Sequence, residues 1–160
     1  MQNSWGAELH ADLKVHPKAR VVYKGVNPAI DSYSAFFDNA KLGKTCLEEL
    51  ITDEGCTDVY VCGIATDVCV GMNYINHSFI HLPCSASTAF HAQELGFRTI
   101  LIDDCSRGIN NDNITNCFEK IKTEFGCVVQ SSEVTRPPSI IIYSVLQHIY
   151  SVLNISLCLR

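Results

Sequence analysis

The sequence predicts an α/β domain: a three-layer arrangement in which a parallel sheet is flanked by helices. Three observations point there. Short apolar runs recur at residues 19–23, 59–62, 97–103 and 127–129. Between the later runs lie stretches with apolar residues at helical spacing, and glycines punctuate the changes from one to the next. Alternation of strand, helix and strand over such lengths is how a parallel sheet covered by helices reads in sequence.

In chain order, residues 1–17 are loop-like, with Trp5, His10 and His16 scattered through a polar segment. Residues 19–23 form a short strand closed by Lys24-Gly25, so Lys24 stands at a strand's C-terminal end, the edge where open α/β sheets place their sites. Position alone favours an ordinary surface lysine. Asn27-Pro28 then opens a loop rich in aromatics, Asp31-Ser32-Tyr33-Ser34-Ala35-Phe36-Phe37. Tyr33 and Phe36 can lie against a flat ring or pack into the core. Residues 45–52 carry Leu47, Leu50 and Ile51 at helical spacing, and Gly55 ends that helix.

The run Asp58-Val59-Tyr60-Val61-Cys62-Gly63-Ile64-Ala65-Thr66-Asp67-Val68-Cys69-Val70-Gly71 organises the rest. It reads as a buried strand that ends in a tight bend, with Cys69 just past the bend where a helix begins. A thiol there feels backbone N–H groups and the positive end of a helix dipole, and both favour the nucleophilic thiolate. Cysteine is also among the most buried residue types, so one of nine taken at random is a packing residue more often than a nucleophile.

Residues 72–86 break any period; His77 and His81 have the spacing of a helical metal pair but Pro83 follows closely and a third ligand is missing. A helix resumes over 88–95 and stops at Gly96. Residues 97–103 are a buried strand with 104–108 as the loop at its end. Residues 113–125 are a helix with Ile114, Cys117, Phe118 and Ile121 on one face, and 127–129 a last short strand. After Arg136-Pro137-Pro138, residues 139–159 are apolar and uncharged. Their length is close to the ~20 residues of a membrane span, but Gln147, His148, Asn154 and several serines favour a tail helix packed on the domain instead.

The chain has 160 residues, a formal charge of −5 and 47% hydrophobic residues. These values fit one globular domain, residues 1–135, with an apolar tail over 136–160. Without a basic stripe, nucleic acid is not an expected partner. The odd cysteine count without any CxxC pair and the polar first thirteen residues fit a reduced, cytoplasmic setting.

Three of these segments, in this order, resemble motifs of the nicotinamidases, within the isochorismatase-like cysteine hydrolases: Tyr23-Lys24-Gly25, Asp31-Ser32-Tyr33-Ser34-Ala35-Phe36, and Gly63-Ile64-Ala65-Thr66-Asp67-Val68-Cys69-Val70. Trp5-Gly6-Ala7-Glu8-Leu9 is similar to a family loop. The resemblance implies a Rossmann-like sheet and an amidohydrolase that converts nicotinamide and water to nicotinate and ammonia, in pyridine nucleotide salvage. It implies Cys69 as nucleophile, Lys24 as the triad lysine, the backbone N–H groups of Ala65 and Cys69 as oxyanion hole, a cis peptide at Ile64–Ala65, and Tyr33 against the substrate ring. It also implies a divalent metal, zinc or iron, held by Asp and His residues, and a homo-oligomer is compatible with it.

Two departures accompany the resemblance. No residue of this chain matches the family's triad aspartate or its metal ligands, so the fold is expected to be incomplete at the N-terminus. Residues 72–86 interrupt a helix that the family carries unbroken. Together with the tail, this is what an incomplete or alternatively spliced product, or an imperfect gene model, looks like. The alternative reading is a non-catalytic relative that binds a partner, such as a full-length homologue, through the sheet edge left by a missing first strand.

Overall fold

A computed structural model of the chain describes residues 5, 11–12, 17, 19–64, 84–124, 127–134, 140–145 and 152–157, with the backbone alone at 84–86, 124, 140–145 and 152–157. Its elements are β1 (Arg20–Tyr23), α1 (Leu47–Asp53), β2 (Asp58–Ile64), α2 (Cys84–Glu94), β3 (Arg98–Arg107), α3 (Asn111–Glu124), β4 (Cys127–Val129), β5 (Ile140–Val145) and β6 (Val152–Leu157). The six strands form one sheet in the order β1-β6-β5-β2-β3-β4.

The expected parallel block is present. β2 pairs with β3, and β3 with β4, both in parallel. Val59 and Val61 point to one face, level with Thr99 and Leu101 of β3, because side chains alternate along a strand. That face meets the helices. Leu47 and Ile51 of α1, Ala89 and Ala92 of α2, and Cys117, Phe118 and Ile121 of α3 join Val22, Val59, Val61, Leu101, Ala35 and Phe36 in one buried cluster. Cys62, Ile100 and Ile102 are buried on the opposite face.

α1 has seven residues, and its N-cap residue, Cys46, makes no side-chain cap hydrogen bond. A helix that short is not stable by propensity, so burial of Leu47 and Ile51 holds it. α3 is better signalled. Asn110 Oδ1 accepts the N–H groups of Asp112 at 2.9 Å and Asn113 at 3.1 Å, an N-cap that starts the helix two residues earlier than its apolar spacing indicates.

Two sequence readings are corrected. Residues 104–107 are not a loop: β3 runs on to Arg107 across a bulge, its register with β2 shifting between Val61↔Leu101 and Gly63↔Ser106. The hydroxyl of Ser106 closes the bulge by donating to Ile102 O at 2.6 Å. The bulged residues find partners after β4, where Ser131 donates to Asp104 through N at 2.7 Å and Oγ at 2.6 Å, and Gln130 Nε2 donates to Asp103 Oδ2 at 2.8 Å.

The second correction concerns the tail. Residues 140–145 and 152–157 are not helical but are the strands β5 and β6, paired antiparallel with each other. The run Ile140-Ile141-Ile142-Tyr143-Ser144-Val145 is dense in β-branched residues, which lose rotamer freedom in a helix and fit a pleated surface. β5 lies parallel to β2, Val59↔Ile140 to Gly63↔Ser144, and β6 lies antiparallel to β1. Thus β2 has a strand on each side, and no open edge remains beside it. Among the described residues, no helix is long and apolar enough to cross a membrane.

Candidate functional site

β1 is antiparallel to β6, and β6 to β5, so β1 runs in the same direction as β5 and β2. The ladder can be followed across the sheet. Tyr23 pairs with Val152, Val152 with Val145, and the neighbour of Val145, Ser144, with Gly63. Tyr23 is therefore level with Ile64, and Lys24 lies one residue past the end of β1. The ends of β1 and β2 share one edge of the sheet, three strand spacings apart, or about 14 Å at ~4.8 Å each.

Lys24 is 3% exposed. It follows Val22 by two residues, and Val22 belongs to the helix-side core. A buried ammonium needs hydrogen-bond acceptors. Its Nζ donates to Ser32 O at 3.0 Å and to Tyr33 O. Gly25, at φ +64°, turns the chain sharply after the lysine, a conformation that costs glycine little. The loop that comes back supplies those two carbonyls.

That loop is tied at many points. Asn39 Oδ1 accepts Tyr33 N at 3.0 Å, and Asn39 N donates to Asp31 O at 2.8 Å. The carboxylate of Asp38, 7% exposed, accepts three backbone N–H groups, from Ala40, Leu42 and Gly43. Phe36 is buried in the core and stacks on Phe97 with centroids 6.4 Å apart. Of the two aromatics singled out in this loop, Phe36 is thus a core residue. Tyr33 is half-buried and adjoins the lysine through its carbonyl.

At the other end of the same edge, Gly63 has φ +119°, and Ile64 is 49% exposed. Ala65 and Cys69 lie outside the described residues, as do the Ile64–Ala65 peptide and the histidines at 10, 16, 77 and 81. The described thiols with a resolved shift all lean away from thiolate. Burial, and then the neighbouring Cys105, push Cys62 up to about 12. Burial raises Cys105, followed by the charge of Asp104. Burial raises Cys56, followed by Glu54 and Asp58. None of these three is an activated nucleophile. Lys24 and Tyr33 are brought together through the Tyr33 carbonyl. Asp38, Thr45 and Thr88 also hold this loop and were not singled out from the sequence: Asp38 and Thr45 act on backbone groups two to ten positions away, and Thr88 on one 53 positions away.

The metal that the resemblance implies needs a convergent set of donors. Among the described residues, no group of three or more His, Cys, Asp or Glu side chains could hold a metal ion. No residue is assigned to one, and no step below passes through it.

Comparison with known proteins bears on the same residues. The family model described as isochorismatase domain matches residues 1–133. The chain belongs to the isochorismatase family. Among relatives, the nicotinamidase of Escherichia coli (strain K12) is 39% identical over 110 residues, which are 69% of this chain and 45% of that protein. The nicotinamidase of Acinetobacter baylyi is 30% identical over 122 residues, 76% of this chain and 50% of that one. This isochorismatase-family chain thus spans about half the length of the curated relatives it matches. Among solved structures, yeast nicotinamidase bound to the inhibitor nicotinaldehyde matches with TM-score 0.52 at 26% identity, over 64% of this chain and 41% of that one. An isochorismatase-like hydrolase from Alkaliphilus metalliredigens matches with TM-score 0.60 at 17% identity, over 82% and 57%, a likeness of fold alone. The β5–β6 pair lies beyond the residues that the family model matches.

Proposed function

We propose that this isochorismatase-family chain carries part of a nicotinamidase-type active site, for hydrolysis of nicotinamide to nicotinate and ammonia. The observation that carries the reading is the buried ammonium of Lys24, held beside Tyr33 one residue past the end of β1, at the sheet edge where β2 also ends. A cation kept dry at that edge favours an anion close to it. Cys69, five residues past β2, is the anion we assign.

The thiolate of Cys69 attacks the amide carbon and forms a carbon–sulfur bond. The N–H groups of Ala65 and Cys69 stabilise the oxyanion that develops. The carbon–nitrogen bond then breaks, and the nitrogen takes a proton and leaves as ammonia. Water attacks the thioester, releasing nicotinate and restoring the thiol. Tyr33 lies against the pyridine ring. In the family as the resemblance describes it, a divalent metal completes the pocket; its donors are not assigned here.

No position of this chain matches the triad aspartate. The missing general base is worth roughly 10²–10⁴-fold in rate, so turnover by this chain alone is slow. The test is ammonia release from nicotinamide by the purified chain, with and without added zinc or iron. Release that disappears in Cys69→Ala supports the hydrolase. A folded parent chain with no release in any condition refutes it, and favours the non-catalytic, partner-binding relative.

A further inference from the structure

The cradle of Lys24 includes two backbone carbonyls, Ser32 O and Tyr33 O. Carbonyls are only as well placed as the loop that bears them. Two residues further along, Ala35 is fully buried and gripped from both sides. Its N–H donates to Thr88 Oγ1 at 3.0 Å, across 53 positions of sequence. Its carbonyl accepts the hydroxyl of Thr45 at 2.7 Å. Thr88 belongs to α2, which packs on β2 and β3, and its side chain is fully buried. Thr45 lies just before α1; its Oγ1 also accepts Leu47 N at 3.2 Å, and its own N–H donates to Phe36 O at 2.9 Å.

We propose that Thr45 and Thr88, closing on Ala35, are positioning residues that set where the Lys24 ammonium and Tyr33 stand relative to the end of β2. The inference rests on the site described under the proposed function. The physical reason is reach. β1 and β2 are not neighbours in the sheet, so the ladder alone does not fix a side chain beyond one strand against a segment beyond the other. The clasp ties the lysine's loop directly to the helix that packs on β2. Hydrophobic contact of Phe36 supplies adhesion but little direction, whereas two hydrogen bonds, one to each of the peptide units that flank Ala35, fix its position and its orientation. A valine at either threonine keeps the shape and removes the hydroxyl, leaving a buried Ala35 group without its partner.

The test uses the full 160-residue chain. Acetylation of Lys24 by acetic anhydride is followed by peptide mass spectrometry, with Lys122 on α3, half-exposed and far in the chain from the loop, as internal reference. Thr88→Val is expected to raise labelling of Lys24 relative to Lys122 by about fivefold, the effect of one lost hydrogen bond on local opening. Thr88→Ser, which keeps the hydroxyl, is expected to return it to the parent ratio. In parallel, the pH at which Cys69 alkylation reaches half its limiting rate is expected to rise in Thr88→Val and to return in Thr88→Ser. Should Thr88→Val not fold by circular dichroism, Thr45→Val removes the other arm of the clasp and has the same expected outcome. A folded valine variant that labels Lys24 as the parent does overturns the proposal. Failure of the proposed function reads differently: Lys24→Gln would leave the alkylation profile of Cys69 unchanged, while the Lys24 labelling ratio still decides whether the clasp positions the lysine.

Discussion

His91 on α2 is a titratable group built into the packing between the helix and the aromatic loop. Its ring meets Phe37 edge-on with centroids 5.3 Å apart. Its Nε2 is 3.7 Å from Glu94, which also pairs with Lys41 at 2.8 Å. Among the described residues its buried Nδ1 has no hydrogen-bond partner. Burial lowers its pKa below the usual 6.5, Lys41 lowers it further, and Glu94 opposes them. The folded chain therefore holds His91 neutral, while the unfolded chain binds a proton below about 6.5. Protons bind the unfolded state more in that window, so stability is full above it and falls as pH drops through it. The expected outcome is a thermal midpoint that declines on acidification from pH 7 toward pH 5.5, and declines less in His91→Phe, measured by circular dichroism melts. Asp38 sets a second residue-scale expectation. Asp38→Ala strands three backbone N–H groups, at Ala40, Leu42 and Gly43, and should lower stability by ~1–3 kcal/mol in urea titrations. Gly43→Ala should act in the same direction, since the added carbon would stand 2.7 Å from Asp38 Oδ2.

At the scale of elements, what was legible follows local pattern. α3, β2 and β4 could be read because their apolar residues recur at the period of the element and their ends carry turn residues. α1 could be read from Leu47, Leu50 and Ile51, yet it depends on burial. Ile51 is fully buried, and Ile51→Ala should cost ~2–5 kcal/mol, whereas Glu49→Ala on the exposed side should stay within about 0.5 kcal/mol; denaturant unfolding distinguishes them. The continuation of β3 was not legible. Asp104-Cys105-Ser106 is polar and looks like a loop, and the partner that arrives from Ser131, 27 positions on from Asp104, helps it remain in the strand. The loop at 31–45 shows the same division. Its motif named Tyr33, as the Tyr23-Lys24-Gly25 motif named Lys24, but the clasp on Ala35 comes from Thr45 and Thr88, which were not singled out from the sequence.

For the whole molecule, the decisive arrangement is the place of β5 and β6. They stand between β1 and β2, so the strand that bears Lys24 is connected through them to the strand that leads to Cys69. Removing residues 136–160 would leave the ladder between β1 and β2 empty and expose the edge of β2, a template for pairing with other chains. A chain that ends at Thr135 is expected to unfold at lower denaturant and to self-associate, by circular dichroism and light scattering. A truncated chain that stays monomeric with parent stability would show that residues 136–160 are a separable tail.

By itself the sequence determined the parallel β2–β3–β4 block, the helices that cover it, the family, and the candidates Lys24, Tyr33, Ala65 and Cys69, because periodicity and motif are local and survive without knowledge of the fold. Only the tertiary structure decided that the apolar tail pairs as strands, that β3 bulges instead of ending, that Phe36 belongs to the core, and that two threonines from separate elements meet on Ala35. Each of these depends on partners brought in from elsewhere in the chain, apolar neighbours for Phe36 and hydrogen-bond partners for the rest, and a group's partner is not written beside it.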